Sequence, residues 1–385
     1  MSQDRRYMWR ALELARCGQP YVSPNPMVGA VIVRDGDIVG EGYHEEFGGP
    51  HAEVNALKRA GDAARGATMY VTLEPCCETY AGKKTPPCVP GIVAAGLKRV
   101  VVAVEDPHRN VSGKGIKAMA DAGIDVVVGE CREEAHELNG AYFSLVERGR
   151  PLVTAKWAMT LDGKIATRTG DARWISGEAA RKEVHYDRGC SGAIVVGVCT
   201  VLRDNPQLTA RGGVGRQPLR VVIDRDARIP LDSTLVREAG KSPVFIYADE
   251  NAPADRLAKL EDAGVYVILL PRHGKYLHWM ELLHDLGDRG VNSVIVEGGG
   301  GIFATAFRER AIDRVKVFIA PKIVGGERAT TPVEGPGVPD MARAVTFDHV
   351  RTRTLGADVV IEGRVVYPSD TSASPSGHWQ GYGGA

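Results

Sequence analysis

Long uninterrupted apolar segments are missing from this sequence of 385 residues. No apolar run approaches the roughly 18 residues that are needed to cross a bilayer. Residues 1–10 carry charges where a secretory signal has its apolar core. The sequence therefore predicts neither a membrane span nor a signal peptide, and we expect a cytoplasmic protein.

An excess of charge of either sign is missing as well. Lys+Arg and Asp+Glu each total 48, so the formal net charge is zero. Nucleic-acid binding needs clustered excess cations to neutralise phosphates. Hydrophobic residues reach 44%, which is enough to bury a folded core and excludes a mainly disordered chain. We expect a globular protein without a nucleic-acid or membrane partner, although a local basic patch for one small phosphate stays possible.

The seven cysteines form an odd and scattered set, which is not the pattern of a disulfide framework. In a reducing compartment, clustered cysteines are more often metal ligands or catalytic groups. The cysteine pattern therefore directs attention to the region between residues 76 and 88, where three of them lie.

The length suits two domains. Strand-like and helix-like segments alternate along the chain, which predicts an α/β fold with a largely parallel sheet and helices on its faces. A predicted long helix at 132–147 is followed by Arg148-Gly-Arg-Pro151, a polar stretch with Gly and Pro that suits a domain boundary. We predict one domain at 1–148, a second at 149–367, and a disordered tail at 368–385.

One set of residues has the composition of a catalytic zinc site. His51 opens a predicted helix, Cys76 and Cys77 follow a predicted strand, and Cys88 starts another helix. One imidazole and two thiolates suit Zn²⁺, and three protein ligands leave the fourth position open for water. Cys88 is the preferred third ligand, while Cys77 stays a weaker alternative because it is adjacent to Cys76.

Glu53 follows His51 by two residues and can reach a zinc-bound water without binding the metal. Such a carboxylate can take a proton from the water and deliver it to a leaving amine, as in zinc deaminases with a His-x-Glu motif followed by Pro-Cys. The alternatives are a closed structural zinc site or simple buried cysteines. A structural site needs a fourth ligand, and no nearby residue is an obvious one.

These motifs give the first segment, at about residues 5–147, a family resemblance. His51-Ala-Glu53, Glu74-Pro-Cys76 and Thr85-Pro-Pro-Cys88 resemble the riboflavin-pathway deaminases of the cytidine-deaminase superfamily. The resemblance implies a cytidine-deaminase-like three-layer fold and deamination of a pyrimidine that carries a 5-phosphoribosylamino group. It also implies substrate contacts from Asn25 and His44.

One stretch departs from the family pattern. The segment between the two cysteine positions is three residues longer than usual, and Cys77–Lys84 lacks the histidines that the family carries. Lys83 or Lys84 is still a candidate to bind the substrate phosphate, with Lys83 taken first. An alternative is a deaminase half that is weak or altered in specificity, which would leave mainly the second activity.

The second segment contains a glycine run that suits a dinucleotide. Glu297-Gly-Gly-Gly-Gly301 lies between a predicted strand and a predicted helix. Glycines let the backbone approach a pyrophosphate, and a helix N-terminus supplies unpaired N–H groups. Arg225 follows another predicted strand, where a cation favours the 2′-phosphate of NADPH over NADH.

Three motifs carry a second resemblance, over about residues 150–366. Lys156-Trp-Ala-Met-Thr-Leu-Asp-Gly163, Val196-Gly-Val-Cys-Thr200 and Val296-Glu-Gly-Gly299 resemble the reductases that are paired with riboflavin deaminases and have a dihydrofolate-reductase-like fold. The resemblance implies NADPH contacts at Ala158, Trp174, Thr200, Asp204, Arg225, Gly299, Gly300 and Gly301. It implies substrate contacts at Arg188, Leu208, Arg211 and Glu297.

The sequence thus predicts a bifunctional enzyme of riboflavin biosynthesis. The first half would use one Zn²⁺ for hydrolytic deamination, and the second would use NADPH to reduce the ribosyl chain of the product to ribityl. Its partners would be small phosphorylated pyrimidines, and we expect a homo-oligomer. Two interpretations from other classes are a nucleic-acid-editing deaminase and a zinc-stabilised metabolite sensor without turnover.

Overall fold

Two β-sheets organise the chain in the computed structural model, which describes residues 2–79, 84–274 and 276–369. The strands of the first sheet come from residues 29–128, and those of the second come from residues 152–366. Within the described ranges, no helix has the length and apolar character needed to cross a membrane.

The first sheet has the strand order β2-β1-β3-β4-β5. β1 pairs antiparallel with β2 and β3, whereas β3, β4 and β5 are parallel. Asp35 and Gly36 have positive φ angles of 54° and 92°, which suits the tight turn of the β1–β2 hairpin. The elements of this half are α1 (Gln3–Cys17), β1 (Gly29–Arg34), β2 (Asp37–Tyr43), α2 (Ala52–Ala60), a 3-10 turn (Gly61–Ala64), β3 (Thr68–Val71), α3 (Val89–Ala94), β4 (Arg99–Val102), α4 (Lys114–Asp121), β5 (Asp125–Val128), α5 (Arg132–Leu138) and α6 (Gly140–Arg148).

The helix predicted at 132–147 is two helices, because the chain breaks at Asn139 between α5 and α6. The Asn139 side-chain oxygen accepts from the backbone N–H of Met27 at 2.7 Å, and its amide donates to the Met27 carbonyl at 2.9 Å. The break therefore anchors the loop that leads into β1. A hydrophobic period does not reveal a break of one residue, so the single-helix prediction was wrong here.

The second sheet has the order β10-β9-β8-β7-β13-β6-β14-β16-β15. Its strands are parallel from β10 to β14, and β14, β16 and β15 pair antiparallel. Its strands are β6 (Leu152–Thr160), β7 (Ala193–Gly197), β8 (Leu219–Ile223), β9 (Val244–Asp249), β10 (Tyr266–Leu270), β13 (Ser293–Glu297), β14 (Arg314–Ala320), β15 (Thr346–Leu355) and β16 (Asp358–Val366), while β11 (Arg272–His273) and β12 (Tyr276–Leu277) form a separate small hairpin. Its helices are α7 (Glu178–Cys190), α8 (Val198–Asp204), α9 (Thr234–Arg237), α10 (Ala254–Asp262), α11 (Trp279–Asp288), α12 (Gly300–Arg308) and a 3-10 turn (Met341–Arg343).

Polar contacts join the two halves next to the chain crossing from α6 to β6. Asp313 of the second half accepts from Arg148 Nη1 of the first half at 2.8 Å, and the Arg150 guanidinium donates to both of its oxygens, at 2.9 and 2.8 Å. The same carboxylate accepts from the backbone N–H of Val153 at 2.8 Å. On the other side of the junction, the Asn292 amide donates to the carbonyl of Pro24 at 3.2 Å. These contacts fix the start of β6 against the first half.

Candidate active sites

The first candidate site is a cluster of one imidazole and two thiols where three segments meet. His51 precedes α2, Cys76 lies in the loop after β3, and Cys88 precedes α3. His51 Nδ1 is 3.7 Å from Cys76 Sγ and 3.2 Å from Cys88 Sγ, and the three donor atoms lie within 4.8 Å of one another. The cluster does not include Cys77, so of the two candidate third ligands the fold brings Cys88 to His51.

The donor set fits a zinc ion in kind and in spacing. Tetrahedral ligands at the usual Zn–S and Zn–N lengths lie about 3.5–3.8 Å apart. The two distances from His51 Nδ1 are close to that range. The other ring nitrogen, Nε2, is 2.8 Å from the Thr85 hydroxyl, a contact that orients the ring and leaves Nδ1 for the metal.

Glu53 lies beside this cluster in the first turn of α2, and it is only 3% exposed. Burial raises the pKa of its carboxyl, as suits a group that must hold and release a proton near neutral pH. Its Oε2 atom is buried and has no hydrogen-bond partner within the described ranges. An unpaired buried carboxylate oxygen is costly, so this atom is suited to a water molecule or a substrate amine.

Asn25 and His44 stand next to the metal ligands. The Asn25 amide is 3.1 Å from His44 Nε2, and His44 Nδ1 is 3.0 Å from the carbonyl of Pro50. The ring of His44 packs edge-on against the ring of His51, with 5.5 Å between centroids. Burial lowers the pKa of His44, so the imidazole is neutral and Nδ1 donates to Pro50 while Nε2 accepts from Asn25.

We call the segments 21–25, 44–50 and 84–85 around His51 the zinc-site rim. Lys83 lies outside the described residues, so its predicted phosphate contact stays a prediction.

Glu74 positions the loop that carries Cys76, a role that the sequence analysis did not assign. Its two carboxylate oxygens accept four backbone N–H groups, at 2.8–3.3 Å, from Asp106, Gly113, Gly115 and Ile116. A Cβ on Gly115 would lie 1.9 Å from the Pro75 carbonyl oxygen, so only glycine allows this close approach. The signal in the sequence was an acidic residue directly before Pro-Cys, followed later by two glycines.

The second candidate site lies at the carboxyl edge of the parallel sheet, where ligands bind in open α/β folds. Ala158 is near the end of β6, Thr200 follows β7, and Arg225 follows β8. Gly299 precedes α12 directly after β13. A Cβ on Gly299 or Gly301 would meet no heavy atom within 4 Å in the described residues, so the backbone here is open to a ligand.

Gly300 has a different reason to be glycine. A Cβ there would lie 2.3 Å from Cγ of Glu334, so this residue packs against the loop before the 3-10 turn. The open positions on either side, together with the helix N-terminus, fit the pyrophosphate of NADPH. In that fit, the residues at 299–301 would hold the cofactor through backbone N–H groups.

Three other predicted cofactor residues form contacts with arginine or aspartate side chains nearby. The Trp174 ring is 64% exposed and carries the Arg181 guanidinium at 4.7 Å from its centroid. The Asp204 carbonyl accepts from Arg173 Nη2 at 3.1 Å. The Arg225 guanidinium pairs with the adjacent Asp226 at 2.7 Å, so part of the cation that we expected for a 2′-phosphate is already neutralised.

A buried ion triad closes the inner end of this site. The Arg188 guanidinium donates from Nε and Nη2 to the two oxygens of Glu297, each at 2.9 Å. Lys156 Nζ lies 3.8 Å from Glu297 Oε2. Burial alone would raise the pKa of Glu297, but the charges of Lys156 and Arg188 lower it to about 2. Arg188 therefore has fewer free N–H groups for a phosphate than the sequence suggested.

The remaining predicted substrate residues border the same region. Leu208 is buried with a positive φ of 55°, and Arg211 is exposed, with Nη2 donating to Gln207 at 2.9 Å. His185, which the sequence analysis missed, lies one helical turn before Arg188 on α7. Its Nδ1 is buried without a hydrogen-bond partner in the described part of the chain, and burial lowers its pKa. Helical spacing from Arg188 was the available signal.

Two family models match the chain, one in each half. Residues 1–104 match the cytidine and deoxycytidylate deaminase zinc-binding region, and residues 151–361 match the RibD C-terminal domain. The chain is 42% identical over 359 residues to the riboflavin biosynthesis protein RibD of Aquifex aeolicus, covering 93% of this chain and 97% of that protein. It is 40% identical over 365 residues to RibD of Actinobacillus pleuropneumoniae, covering 95% and 96%.

Solved structures agree with these matches. Form 1 of Acinetobacter baumannii RibD has a TM-score of 0.83 at 34% identity, covering 94% of this chain and 99% of that one. A Thermotoga maritima deaminase/reductase has a TM-score of 0.79 at 35% identity, covering 94% and 98%. The predicted fold class is confirmed. The chain belongs to the RibD family of riboflavin biosynthesis proteins, which join a zinc-dependent deaminase to an NADPH-dependent reductase in one polypeptide.

Proposed function

We propose that His51, Cys76 and Cys88 hold the catalytic zinc and that Glu53 moves the protons of a hydrolytic deamination. The substrate is 2,5-diamino-6-(5-phosphoribosylamino)pyrimidin-4-one. The observation that carries the proposal is the convergence of three zinc donors beside the unpartnered Oε2 of Glu53. Support for this substrate comes from the Thermotoga maritima relative, which is described as a diaminohydroxyphosphoribosylaminopyrimidine deaminase/5-amino-6-(5-phosphoribosylamino)uracil reductase.

The residues divide the deamination between them. Zinc, when bound, lowers the pKa of water and makes it a nucleophile at neutral pH. Glu53 would accept a proton at Oε2 from the attacking water and deliver it to the departing amine, and its buried position keeps bulk water away. Asn25 and His44 orient the pyrimidine, since their polar atoms stand beside the metal ligands.

In the second half, NADPH is the hydride donor, and the protein binds and orients it. The open backbone at 299–301 would hold the pyrophosphate, and the cofactor site would be completed by Ala158, Trp174, Thr200, Asp204 and Arg225. Arg188 and Arg211, with Leu208 and Glu297, bind the deaminated phosphoribosyl substrate. The Glu297 carboxylate holds the Arg188 guanidinium in place, and its charge opposes the lowering of the Lys156 pKa that burial causes.

The test follows the two steps separately. Zinc-loaded protein is given the diaminopyrimidine phosphate and NADPH, and ammonia release is recorded beside NADPH absorbance. Glu53→Gln should slow ammonia release by about 10²–10⁴-fold, with zinc content and reduction of the deaminated substrate unchanged. Normal deamination by this variant would show that Glu53 is not the proton carrier.

The same proposal covers organisation and assembly. We assign residues 1–148 to the deaminase domain and 149–367 to the reductase domain. Of the predicted tail at 368–385, residues from 370 onward lie outside the described residues. The seven cysteines form no disulfide, which supports the reducing cytoplasm as the location.

An exposed edge supports assembly into a homo-oligomer. In the described residues β15 pairs only with β16, so its outer edge is free. Phe347 and Val350 on this strand are 42% and 52% exposed. An exposed edge strand with apolar side chains can pair with a strand of another chain. Sedimentation velocity tests this, since a monomer at micromolar concentration would contradict it.

A further inference from the structure

Two cations from different halves of the chain flank one aromatic ring on the zinc-site rim. Lys84 Nζ lies 4.1 Å from the centroid of the Phe47 ring. Arg216 Cζ lies 5.2 Å from the same centroid. Lys84 belongs to the deaminase half, whereas Arg216 belongs to the loop before β8 in the reductase half.

The Phe47 ring belongs to a segment that leads directly to the metal ligand His51. Phe47 precedes His51 by four residues, and its backbone N–H donates to the Tyr21 carbonyl at 3.1 Å. Lys84 is followed by Thr85, whose hydroxyl is 2.8 Å from His51 Nε2. Lys84 is therefore adjacent in sequence to a residue that contacts the imidazole ligand, and the contact with Phe47 brings Arg216 to the same rim.

The backbone fixes the place of Arg216. Its N–H donates to the Gly189 carbonyl at 3.3 Å. Gly215 has a φ of 71°, and a Cβ there would lie 2.1 Å from the same carbonyl oxygen and 2.9 Å from Cβ of Pro20. The loop is thus packed between α7 and the deaminase half, so the start of the Arg216 side chain is directed by close contacts.

Neither Lys84 nor Arg216 forms an ion pair with a carboxylate among the described residues. The reductase arginine Arg188 differs, since Glu297 holds it from both oxygens. The charges of Lys84 and Arg216 are therefore available to an anionic ligand. Guanidinium and ammonium groups bind phosphate through strong charge-assisted hydrogen bonds.

We infer that Arg216, together with Lys84, binds the 5′-phosphate of the deaminase substrate, so that the reductase half completes the deaminase site. This inference rests on the proposed function. Phe47 then serves as the apolar support that aligns the two cations through their cation–π contacts. The alternative is that the three side chains only dock the halves together.

The experiment compares two substrates on the intact, zinc-loaded chain. One is the phosphoribosyl diaminopyrimidine, and the other is the same compound without its phosphate. Arg216→Ala should raise the deamination KM for the phosphorylated substrate about tenfold, as expected for the loss of one exposed charge-assisted hydrogen bond. The kcat, the KM for the dephosphorylated compound, and the reductase kinetics should each stay within about twofold.

Two further variants sharpen the result. Arg216→Lys should restore part of the affinity, because it keeps the charge and loses the guanidinium fork. Arg237→Ala removes an exposed arginine of α9 and should match the parent protein in all assays. Inorganic phosphate should also inhibit the parent deaminase competitively, and do so more weakly in Arg216→Ala.

The possible failures are distinct. If Arg216→Ala raises KM equally for both substrates, or lowers reductase activity as well, the residue is a docking element and the inference is wrong. An unchanged KM for the phosphorylated substrate overturns it too. If the parent protein releases no ammonia from either substrate, the proposed function fails, and phosphate then has no deamination to inhibit.

Discussion

Glu297→Gln tests whether the buried triad of the reductase site stabilises the protein as the geometry requires. The substitution keeps the size of the side chain and removes one negative charge between Arg188 and Lys156. A pKa lowered from 4.5 to about 2 corresponds to roughly 3 kcal/mol of stability from the ionised carboxylate. Breaking one partner of a buried ion pair costs a similar 3–5 kcal/mol or so. We expect the free energy of unfolding to fall by about 3 kcal/mol at pH 7.

The pH dependence has a definite sign. The folded-state pKa of Glu297 lies below its unfolded value, so its stabilising contribution is complete above about pH 4.5. The contribution is lost as the pH falls from there towards about 2. The difference in unfolding free energy between parent and variant should therefore be constant from pH 6 to 8 or so and shrink steadily below about pH 4.5.

Urea unfolding followed by tryptophan fluorescence is the suitable assay, because Trp157 and Trp279 pack in the core of the second sheet. Glu178→Gln is the matched control, since Glu178 pairs with Lys182 at 2.9 Å but both side chains are more than 70% exposed. Exposed pairs contribute only about 0–1 kcal/mol. A loss below about 1 kcal/mol in Glu297→Gln, or a loss that is as large at pH 3 as at pH 7, would refute the reasoning.

Two further substitutions separate the halves. Arg211→Ala should raise the reductase KM several-fold and leave ammonia release unaffected, because its exposed guanidinium lies in the reductase half and is proposed to bind the substrate there; equal damage to both activities would indicate misfolding instead. Gly115→Ala should lower zinc content and deamination together, because a Cβ there lies 1.9 Å from the Pro75 carbonyl beside a zinc ligand. Gly240→Ala is its control, since a Cβ at that position meets no heavy atom within 4 Å in the described ranges, and metal analysis with ammonia release checks both.

The zinc cluster could be predicted from the sequence because its residue types and their spacing indicate a metal site. An imidazole, two thiols and a carboxylate at fixed spacing have few uses besides metal binding in a reducing compartment. His51 and Cys88 precede helices and Cys76 follows a strand, and the fold brings these three positions together. The spacing alone did not decide between Cys77 and Cys88, since chain direction after Cys76 depends on tertiary contacts.

Secondary structure was predictable where burial is one-sided and less so elsewhere. The β-branched residues at 357–366 predict a strand, and β16 is observed at Asp358–Val366. Its partner β15 was not predicted, because all but the last of its ten residues are exposed and they show no apolar alternation. The pairing of β15 depends on the hairpin with β16, which a local pattern cannot show.

The electrostatic partners of the site residues were the hardest to foresee. Arg188 and Glu297 are separated by 109 positions, and nothing near either of them indicates that one carboxylate takes two of the arginine's donors. Arg225 shows the same limit at short range, because its neighbour Asp226 already neutralises part of the charge assigned to the cofactor. A sequence motif identifies which residues converge on a site, but the charge left for a ligand depends on every neighbour.

Arg216 shows the opposite case, in which a residue outside any motif keeps a charge that is available to a ligand. It belongs to no motif, and from the sequence it is one more exposed arginine in a glycine-rich loop. In the folded chain it reaches the Phe47 ring of the other half, where no carboxylate among the described residues pairs with it. A cation without a carboxylate partner can form charge-assisted hydrogen bonds with an anionic substrate. If Arg216 serves the deaminase, then joining the two enzymes in one chain does more than keep consecutive steps together, because one half supplies a ligand-binding group to the other.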